Sequence, residues 1–541
     1  MPRHFNRVSS LAVAAVVSLA LVPALGVQPA LAGTMIRVTT TSDTIVADGK
    51  CSLREAVIAA NTDKAVGGCP AGHGADTINV PAGTYTLAIL GQNENAGLTG
   101  DLDITANVTI RGAGYVTTTI SANHIDRVFQ VHAGNQVTID GLTVTGGQLG
   151  GLDQPSPTSS GAGIANFANL TLTNSLVTDN NWGSYIQSTG RGGGIFNSGM
   201  LTVRNSIVSH NTAGAGGGVY STGSAYLSRT LIESNSAGGY DSHAPVGMND
   251  NIGSDTRPRG GDAGGITAAG YLSVDRSIIR YNDGGNEWGH GGISMERGVV
   301  SNSIIATNGS AICGTGGLVM VAGSLIASTV IGNHNGNCGP GAGGVYAIDS
   351  QIVNSTVTSN SSGGLAVGGV KAERTSIINS TITLNRSGLG DVAFDTVGGL
   401  DADQVTLRGT IVANNLGGTG YPNWEPLPDC AGSVISGGHN LIGNTVGCTL
   451  TAQKSDLLNV GAKLGPIANN GGPLAGPDGY LEPLRTHTLL PGSPAIDAWF
   501  DGTVGNGATC PALDQRGVHR PQDGNGDGVK KCDIGAIEWT R

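Results

Sequence analysis

The chain has 541 residues, of which 90 are glycine, 12% are charged and 4% are aromatic, and its formal net charge is −11. The charged fraction is about half the ~25% usual in globular domains, which excludes a nucleic-acid-binding protein, a coiled coil and a charge-rich disordered tail. Glycines without a G-X-Y period exclude collagen, and they disfavour long helices, where each costs ~1 kcal/mol relative to alanine.

Residues 1–32 predict an export signal. Arg3 and Arg7 precede an apolar run, and the small residues Ala30 and Ala32 suit cleavage before the mature chain. No later segment is long and apolar enough to predict a membrane span. The sequence therefore predicts a protein that is secreted or held at the cell surface.

Residues 33–75 predict an N-terminal cap. A strand is expected first, followed by a short helix in which Ser52 and Glu55 form a capping box. A disulfide between Cys51 and Cys69 would hold this helix over the open end of an apolar core.

Residues 76–445 carry a repeat of about 25 residues, typified by LTVRNSIVSHN and IINSTITLN. Each copy ends on an asparagine, and the next copy begins with Gly-Gly and an aliphatic residue. The terminal asparagines are Asn180, Asn211, Asn235, Asn282, Asn308, Asn333, Asn360, Asn385 and Asn414. Because asparagine tolerates left-handed backbone and bonds to neighbouring backbone, we expect these residues at the corners between strands.

A period of this length predicts a solenoid, and apolar residues alternate with polar ones as in strands. We therefore predict a parallel β-helix of about a dozen coils without long helices. A leucine-rich-repeat horseshoe is the alternative, since LTLTN resembles its consensus. That fold needs a longer convex segment, whereas the corresponding stretches here are loops rich in glycine and serine.

Eight cysteines fall into four neighbouring couples. In an exported chain an even number of cysteines predicts disulfides. The sequence contains no C-x-x-C spacing, which argues against a zinc site. The spacing does not fix the connectivity, but local pairing is expected. The couples are Cys51 and Cys69, Cys313 and Cys338, Cys430 and Cys448, and Cys510 and Cys532.

The motifs at the two ends and in the repeat resemble those of a known group. The hexapeptide CSLREA at Cys51–Ala56, the GGGIFNSG repeats and the closing GSPAID, DQRGVHRP and CDIGAIE segments resemble secreted bacterial proteins of the pectin-lyase-like superfamily. This resemblance implies a right-handed parallel β-helix, with a choice-of-anchor type region at residues 446–541 acting as an irregular C-terminal cap. It implies no single activity, because such folds host lyases, hydrolases, adhesins and structural proteins.

An Asp/Gly-rich loop predicts a structural calcium site. Asp523, Asn525 and Asp527 place oxygen ligands at alternate positions, and glycine at the sixth position permits a sharp turn. Asp533 or Glu538 would have to complete the shell. The alternative is a polar turn closed by the last cysteine couple.

Register along the coils predicts a charged cluster on an outward face. Counting from the Gly-Gly corner places Lys371 beside Asp401 and Glu373 beside Asp403 on neighbouring coils about 4.8 Å apart. Paired carboxylates can divide into an acid and a base, and a lysine can accept a proton in β-elimination. The alternative is an ordinary solvated sheet face.

The longest insertions fall between the terminal asparagine and the next Gly-Gly corner, so they are expected to form one edge of the solenoid. Trp182, Trp288 and Trp424 lie in these insertions, and exposed rings there would suit stacking on sugars. The alternative is packing within the loops. Further acid–base candidates in the same loops are Asp241, His243, Glu287 and His290.

Two functional classes follow from the sequence. One is a non-enzymatic, monomeric secreted or surface protein that binds extracellular glycans or partner surfaces through the loop edge. The other is a polysaccharide lyase or glycoside hydrolase acting on an extended, uronate-containing chain. The first is favoured because the chain has no sharp catalytic motif. Apart from calcium no cofactor is expected, and nucleic acid is not an expected partner.

Overall fold

The computed structural model describes residues 32–92, 94–149, 160–182, 190–238, 263–285, 289–310, 313–336, 341–364, 366–388, 396–417, 429–499 and 510–540. Within these ranges the protein is almost entirely β, with one helix, Leu53–Thr62. No helix in them is long and apolar enough to cross a membrane. The predicted export signal lies outside the described residues except for Ala32.

Three groups of parallel strands run along the chain. The first, sheet 1, contains Ala32–Arg37, Ala75–Val80, Leu102–Ile104, Val108–Gly112, Phe129–Val131, Gln136–Asp140, Ile164–Asn166, Asn169–Thr173, Ile195–Asn197, Met200–Arg204, Val219–Ser221, Ser224–Ser228, Ile266–Asp275, Ile293–Ser301, Leu318–Val321, Gly323–Ile326, Val345–Ile348, Gln351–Val353, Val370–Glu373, Ser376–Ile378, Leu400–Arg408, Cys430–Ser436 and Cys448–Thr451.

Sheet 2 and sheet 3 complete the coils. Sheet 2 contains Gly83–Thr86, Thr118–Ser121, Thr143–Thr145, Leu176–Thr178, Ile207–Ser209, Leu231–Glu233, Ile278–Arg280, Ile304–Ala306, Thr329–Ile331, Thr356–Thr358, Thr381–Thr383, Ile411–Ala413, Leu441–Ile442 and Leu457–Leu458. Sheet 3 consists of two short ladders, with strands Gln148–Leu149, Asn181–Trp182, Thr212–Ala213 and Ser236–Ala237, then Gly309–Ser310, His334–Asn335 and Ser361–Ser362. Two antiparallel pairs follow, Leu464–Ala468 with Thr486–Leu489, and Leu474–Ala475 with Glu482–Pro483.

One coil shows how the chain turns at the corners between its strands. The strand Val345–Ile348 follows the Gly-Gly corner and belongs to the side we call sheet 1a, and Gln351–Val353 belongs to the adjoining side, sheet 1b. The corners after these strands use left-handed residues, Asp349 and Asn354, each with a φ of 47°. A third left-handed residue, Ser359, separates sheet 2 from sheet 3. Strand follows strand in parallel register from coil to coil, so the predicted parallel β-helix is confirmed.

Buried asparagines line the corner between sheets 2 and 3. Asn360 donates from Nδ2 to Val330 O at 3.1 Å and to Asn385 Oδ1 at 2.9 Å, and its backbone N–H donates to the same Oδ1 at 3.0 Å. The left-handed residue at this corner is the one before the asparagine, such as Ser359. The asparagines therefore lie at the corners and bond to neighbouring coils as expected, while at this corner the residue before the asparagine takes the left-handed conformation.

The last member of this asparagine ladder is also different from the prediction. Asn385 donates to Oδ1 of Asn415 at 3.0 Å, whereas Asn414 is the left-handed corner residue with a φ of 62°. Asn415 in turn donates from Nδ2 and from its backbone N–H to Asp429 Oδ1 at 3.0 and 2.8 Å. Since a carboxylate only accepts, Asp429 completes the run of donors and acceptors at the C-terminal end of the ladder.

The inward side of every coil is aliphatic. In one coil Val345, Ile352 and Val357 are fully buried, and the apolar cluster to which they belong extends from Ile36 to Ile442. The small or apolar residues expected at the third position after the Gly-Gly corner also point inward. They are Ser221, Ala268, Met295, Met320, Ala347, Ala372 and Ala402, all buried.

The hexapeptide Cys51–Ala56 fastens the first coils. The hydroxyl of Ser52 accepts a hydrogen bond from the Glu55 N–H and the Glu55 carboxylate accepts one from the Ser52 N–H, so the predicted capping box is confirmed. Arg54 is completely buried and binds both carboxylate oxygens of Asp43, at 2.7 and 3.0 Å. Arg54 also donates to the backbone carbonyls of Gly97, Gly100 and Asp101, which ties the helix to the loop before the second coil.

Local disulfide pairing is confirmed for three couples: Cys51 with Cys69, Cys430 with Cys448, and Cys510 with Cys532. Cys313 is also disulfide-bonded, and Cys338, its expected partner, lies outside the described residues.

The C-terminal region lies along the side of the solenoid. Parallel pairing continues to Leu457–Leu458, beyond the expected boundary at residue 445. Residues 464–499 and 510–540 then pack on the outward side of sheet 2. The buried side chains Ala475 and Leu484 pack there on isoleucines and leucines of four coils, Ile207, Leu231, Ile278 and Ile304. The expected cap is thus a cover for a second apolar surface, because several sheet 2 strands are apolar on both faces.

Candidate functional site

The predicted charged cluster forms on the outward side of sheet 1a. In the strands Val370–Glu373 and Leu400–Arg408, Lys371 pairs with Asp401 and Glu373 pairs with Asp403. Both predicted pairings are therefore confirmed. Lys371 and Asp401 are half-buried, Glu373 is buried and Asp403 is exposed.

Tyr346, on the preceding coil, holds two members of this cluster. Its hydroxyl donates to Glu373 Oε1 at 2.7 Å, and Lys371 Nζ lies 5.2 Å from the centroid of its ring. Burial raises the pKa of Tyr346, and the hydrogen bond to Glu373 raises it further, so the phenol stays a neutral donor. Sequence reasoning placed Tyr346 on this face but did not assign it a role.

The two carboxylates nearest Lys371 differ in their surroundings. Glu373 has one oxygen on the Tyr346 hydroxyl and the other 3.7 Å from Arg374 Nη1, so it anchors the cluster. Burial raises the pKa of Asp401, Lys371 opposes that shift, and Glu373 and Asp403 reinforce it. Asp401 therefore keeps its proton to a higher pH than an ordinary aspartate does.

This arrangement can act in two ways. Lys371, Asp401 and Asp403 present a cation and two acceptors to a polar ligand lying on the sheet. Asp401 and Asp403 also lie two residues apart in one strand, with their Cα atoms about 6.6 Å apart. A half-buried acid with a raised pKa beside an exposed carboxylate is the arrangement of an acid–base pair.

The outward face of sheet 1a is covered over its middle coils. The residues that pair from coil to coil before Lys371 are Phe196, Tyr220, Thr267, Ser294, Val319 and Tyr346, and all are buried. At the N-terminal side of this run, the rings of Phe196 and Tyr220 stack with centroids 6.1 Å apart. The outward face of sheet 1a is therefore buried over these coils and becomes accessible at the Lys371 end.

The tryptophans expected to stack on sugars have different outcomes. Trp182 is only 6% exposed and packs with Leu149, Ala162 and Ala213, so the prediction of an exposed ring is wrong at this position. Its strand, Asn181–Trp182, turns the ring onto the apolar side of sheet 3. Trp288 and Trp424 lie outside the described residues.

Of the further acid–base candidates in the loops, His290 lies within the described residues. Asp241, His243 and Glu287 lie outside the described residues. His290 is buried, and its Nδ1 accepts a hydrogen bond from the Thr315 N–H at 2.9 Å, which makes it a structural residue of its coil.

The predicted calcium ligands do not meet around one point. Asp523 accepts from the N–H groups of Gly526 and Gly528 at 2.7 and 3.1 Å, and Asp527 Oδ1 accepts from the Val529 N–H. Asp533 lies elsewhere, buried, with its oxygens on the N–H groups of Asp497 and Trp539.

No group of three or more histidine, cysteine or acidic residues is arranged to hold a metal ion in the part of the chain that the structure describes. The three loop residues Asp523, Asn525 and Asp527 lie together, with Asn525 Nδ2 donating to Asp527 Oδ2 at 3.2 Å. Calcium binding by that loop stays a prediction.

The closing motifs build a buried ion network. Asp514 binds Arg516 at 2.9 and 2.7 Å, and Arg520 Nη1 binds Glu538 Oε2 at 3.1 Å. Burial and the neighbouring Glu538 raise the pKa of Asp533 to about 7. These charges have partners within the C-terminal region, so the network fastens that region and leaves no charge directed at a ligand.

A second polar cluster, at the N-terminal end of sheet 1a, was missed by sequence reasoning. Asp103 Oδ1 lies 2.6 Å from His132 Nε2, and Asp103 Oδ2 accepts from the Gly97 N–H at 3.0 Å. Nearby, Asp101 pairs with Arg127 at 3.0 Å, and burial raises the pKa of Asp101 well above its usual range. Extending the coil register from the repeats towards the N-terminus, as far as the strand Leu102–Ile104, could have placed Asp103 on this face.

Comparisons with known proteins give weak resemblances to solved structures. No protein-family profile and no curated protein matches the chain. The pectate lyase Pel9A is 13% identical, with a TM-score of 0.33, over 94% of this chain and 96% of that one. The Azotobacter vinelandii mannuronan C-5 epimerase AlgE4 A-module is 14% identical over 77% and 96%, with a TM-score of 0.32.

The Dettilon tailspike protein gp208 is 11% identical over 78% of this chain and 68% of that one, with a TM-score of 0.32. Resemblances of this size carry no inference about a shared activity.

Proposed function

We propose that this protein is secreted or held at the cell surface and binds an extracellular polysaccharide on the outward side of sheet 1a. The observation that carries the proposal is the cluster at its C-terminal end, where Lys371 lies over the Tyr346 ring beside Asp401 and Asp403. Lysine donates hydrogen bonds and the carboxylates accept them, which suits the hydroxyl groups of a sugar.

The scaffold supports an extended ligand. Successive coils are about 4.8 Å apart, so the strands hold Lys371 and Asp401 at a fixed interval on neighbouring coils. Side chains held by strands and by the Tyr346–Glu373 hydrogen bond lose little freedom on binding, which lowers the entropic cost.

The disulfides support the location. Bridges such as Cys51–Cys69 persist in oxidising surroundings, outside the cytosol. Together with the predicted export signal, they favour an extracellular ligand.

Binding is tested by affinity electrophoresis of the intact protein in gels that contain polygalacturonate, alginate or xylan. We expect retardation in at least one gel, and at least tenfold weaker retardation for the double variant Lys371→Ala, Asp401→Asn. Lys454→Ala, which removes an exposed lysine on the last coil, is the matched control and should bind as the wild type does. Equal binding by the double variant and the control would place the ligand elsewhere.

Hydrolysis of the bound glycan is the second candidate, and the raised pKa of Asp401 favours it. Asp401 would donate a proton to the glycosidic oxygen, and Asp403 would accept one from the attacking water. Release of reducing ends that stops in both Asp401→Asn and Asp403→Asn supports it. Release of unsaturated products that absorb in the ultraviolet would instead indicate β-elimination with Lys371 as the base.

A further inference from the structure

Two tyrosine rings lie together on the outward side of sheet 1b, away from the proposed site. Tyr226 and Tyr271 are each 40% exposed, their centroids are 6.0 Å apart and their planes meet at 46°. Both alternate with buried aliphatic residues along their strands, as in Ala225-Tyr226-Leu227. The backbone therefore holds both rings outward, although the chain has few aromatic residues.

Polar side chains border the two rings. Tyr226 pairs with Thr202 on the preceding coil and with Ser273 on the next one. Tyr271 pairs with Arg297 on the coil after it, and Arg297 is exposed. The surface therefore combines two aromatic faces with hydroxyl groups and a guanidinium group.

We propose that Tyr226, Tyr271 and Arg297 form a saccharide-binding platform for an acidic polysaccharide, a second contact that rests on the proposed function. Aromatic faces pack against the C–H groups of a sugar ring while hydroxyl groups at the border bond to its hydroxyls. The guanidinium of Arg297 binds a carboxylate with two parallel hydrogen bonds, which selects a uronate over a neutral sugar.

The size of the surface favours a saccharide over a protein partner. A tyrosine presents 150–250 Å², so the two rings at 40% exposure, with Met200 beside them at 43%, expose on the order of 250 Å². A stable protein interface buries about 800 Å² on each partner. The platform is thus too small for a protein interface and large enough for a few sugar units.

The platform and the Lys371 cluster lie on adjoining sides of the solenoid. From the coil of Tyr271 to that of Lys371 there are four coil steps, or about 19 Å along the axis. Two sites on one rigid body would bind one polysaccharide with greater avidity than either site alone, or would link two chains.

The test uses the intact protein in the same polygalacturonate and xylan gels, with Tyr226→Ala, Tyr271→Ala as a double variant. Tyr480→Ala is the matched control, because Tyr480 is 41% exposed but lies in the C-terminal region. We expect at least tenfold weaker retardation by polygalacturonate for the double variant, an unchanged melting temperature, and wild-type retardation for the control. Arg297→Gln should weaken retardation by polygalacturonate but not by xylan.

The outcomes separate this inference from the proposed function. If the double variant is retarded as strongly as Tyr480→Ala while Lys371→Ala, Asp401→Asn is not, the platform is refuted and the proposed site stands. A change of sedimentation coefficient in the tyrosine double variant would identify the surface as a protein interface and would also refute the inference. If no gel retards the wild type, both proposals fail.

Discussion

Replacing one asparagine of the buried ladder tests whether that ladder stabilises the solenoid. Asn333 donates from Nδ2 to Ile305 O at 3.0 Å and to Asn360 Oδ1 at 2.9 Å. Its own Oδ1 accepts from the backbone N–H and the Nδ2 of Asn308, at 3.0 and 2.9 Å. Asn333→Ala removes these four hydrogen bonds and a longer one from Nδ2 to Ile331 O at 3.3 Å, while Asn360 Oδ1 keeps the backbone N–H of residue 333 as a donor.

The expected loss follows from those four bonds. Each is worth about 1 kcal/mol net, so the variant should lose about 4 kcal/mol of unfolding free energy, or more if no water replaces the amide. At ~2.1 cal/mol/K per residue, unfolding the whole chain carries an entropy of roughly 1 kcal/mol/K, so the melting temperature should fall by about 4 °C. Asn169→Ala, at an exposed position in a strand, is the control and should change stability by less than ~0.5 kcal/mol.

Hydrogen exchange gives the local measurement. Solenoids can open a few coils at a time, so the amides of residues 300–340 should exchange up to about 10³-fold faster in the variant, as about 4 kcal/mol implies. Exchange and melting equal to those of Asn169→Ala would refute the reasoning, since the ladder would then contribute no more than an exposed side chain.

Three further outcomes are expected. The pKa of Asp533 is raised to about 7 from an ordinary 3.8, so it contributes unfolding free energy that is present below pH ~4 and lost as the pH rises to about 7. Urea unfolding of Asp533→Asn should therefore show a flatter dependence of unfolding free energy on pH. The same pH dependence as in the wild type would contradict this. Arg54→Ala removes the ion pair of Asp43, whose Oδ2 keeps only the N–H groups of Ala88 and Ile89, and removes the donor to three backbone carbonyls. About 3–5 kcal/mol should therefore be lost in urea unfolding, unlike in the exposed-site variant Arg37→Ala. Calcium binding by the loop of Asp523, Asn525 and Asp527 is tested by titration calorimetry: uptake by the wild type that is lost in Asp523→Asn is expected, and no uptake by the wild type would contradict the prediction.

The fold followed from the sequence because its determinants are local and periodic. Alternating apolar residues set the inward face, and the interval between Gly-Gly corners set which residues pair, so Lys371 with Asp401 could be named in advance. The ladder ended one residue away from the prediction because Asn414 and Asn415 are adjacent, and only the corner geometry distinguishes the left-handed residue from the buried one.

Burial of the outward face was harder to predict. Pairing depends on neighbouring coils, whereas exposure depends on segments distant in the sequence. The exposure of Trp182 was predicted wrongly because a tryptophan in an insertion is equally compatible with a solvent-exposed groove and with an apolar pocket. The cover on sheet 2 did leave a signal, since strands such as Ile278–Arg280 and Ile304–Ala306 begin with two adjacent isoleucines, which point to opposite faces.

That cover bears on where a ligand can bind. Residues 464–499 and 510–540 cover sheet 2, and sheet 1a is buried over its middle coils. The Lys371 end of sheet 1a and the outward side of sheet 1b remain open to a polar ligand. A flat strand face normally carries scattered polar residues, and exposing two adjacent tyrosines there forgoes the stabilisation that burying them would give. A ligand that covers the exposed parts of the two rings would recover part of that free energy.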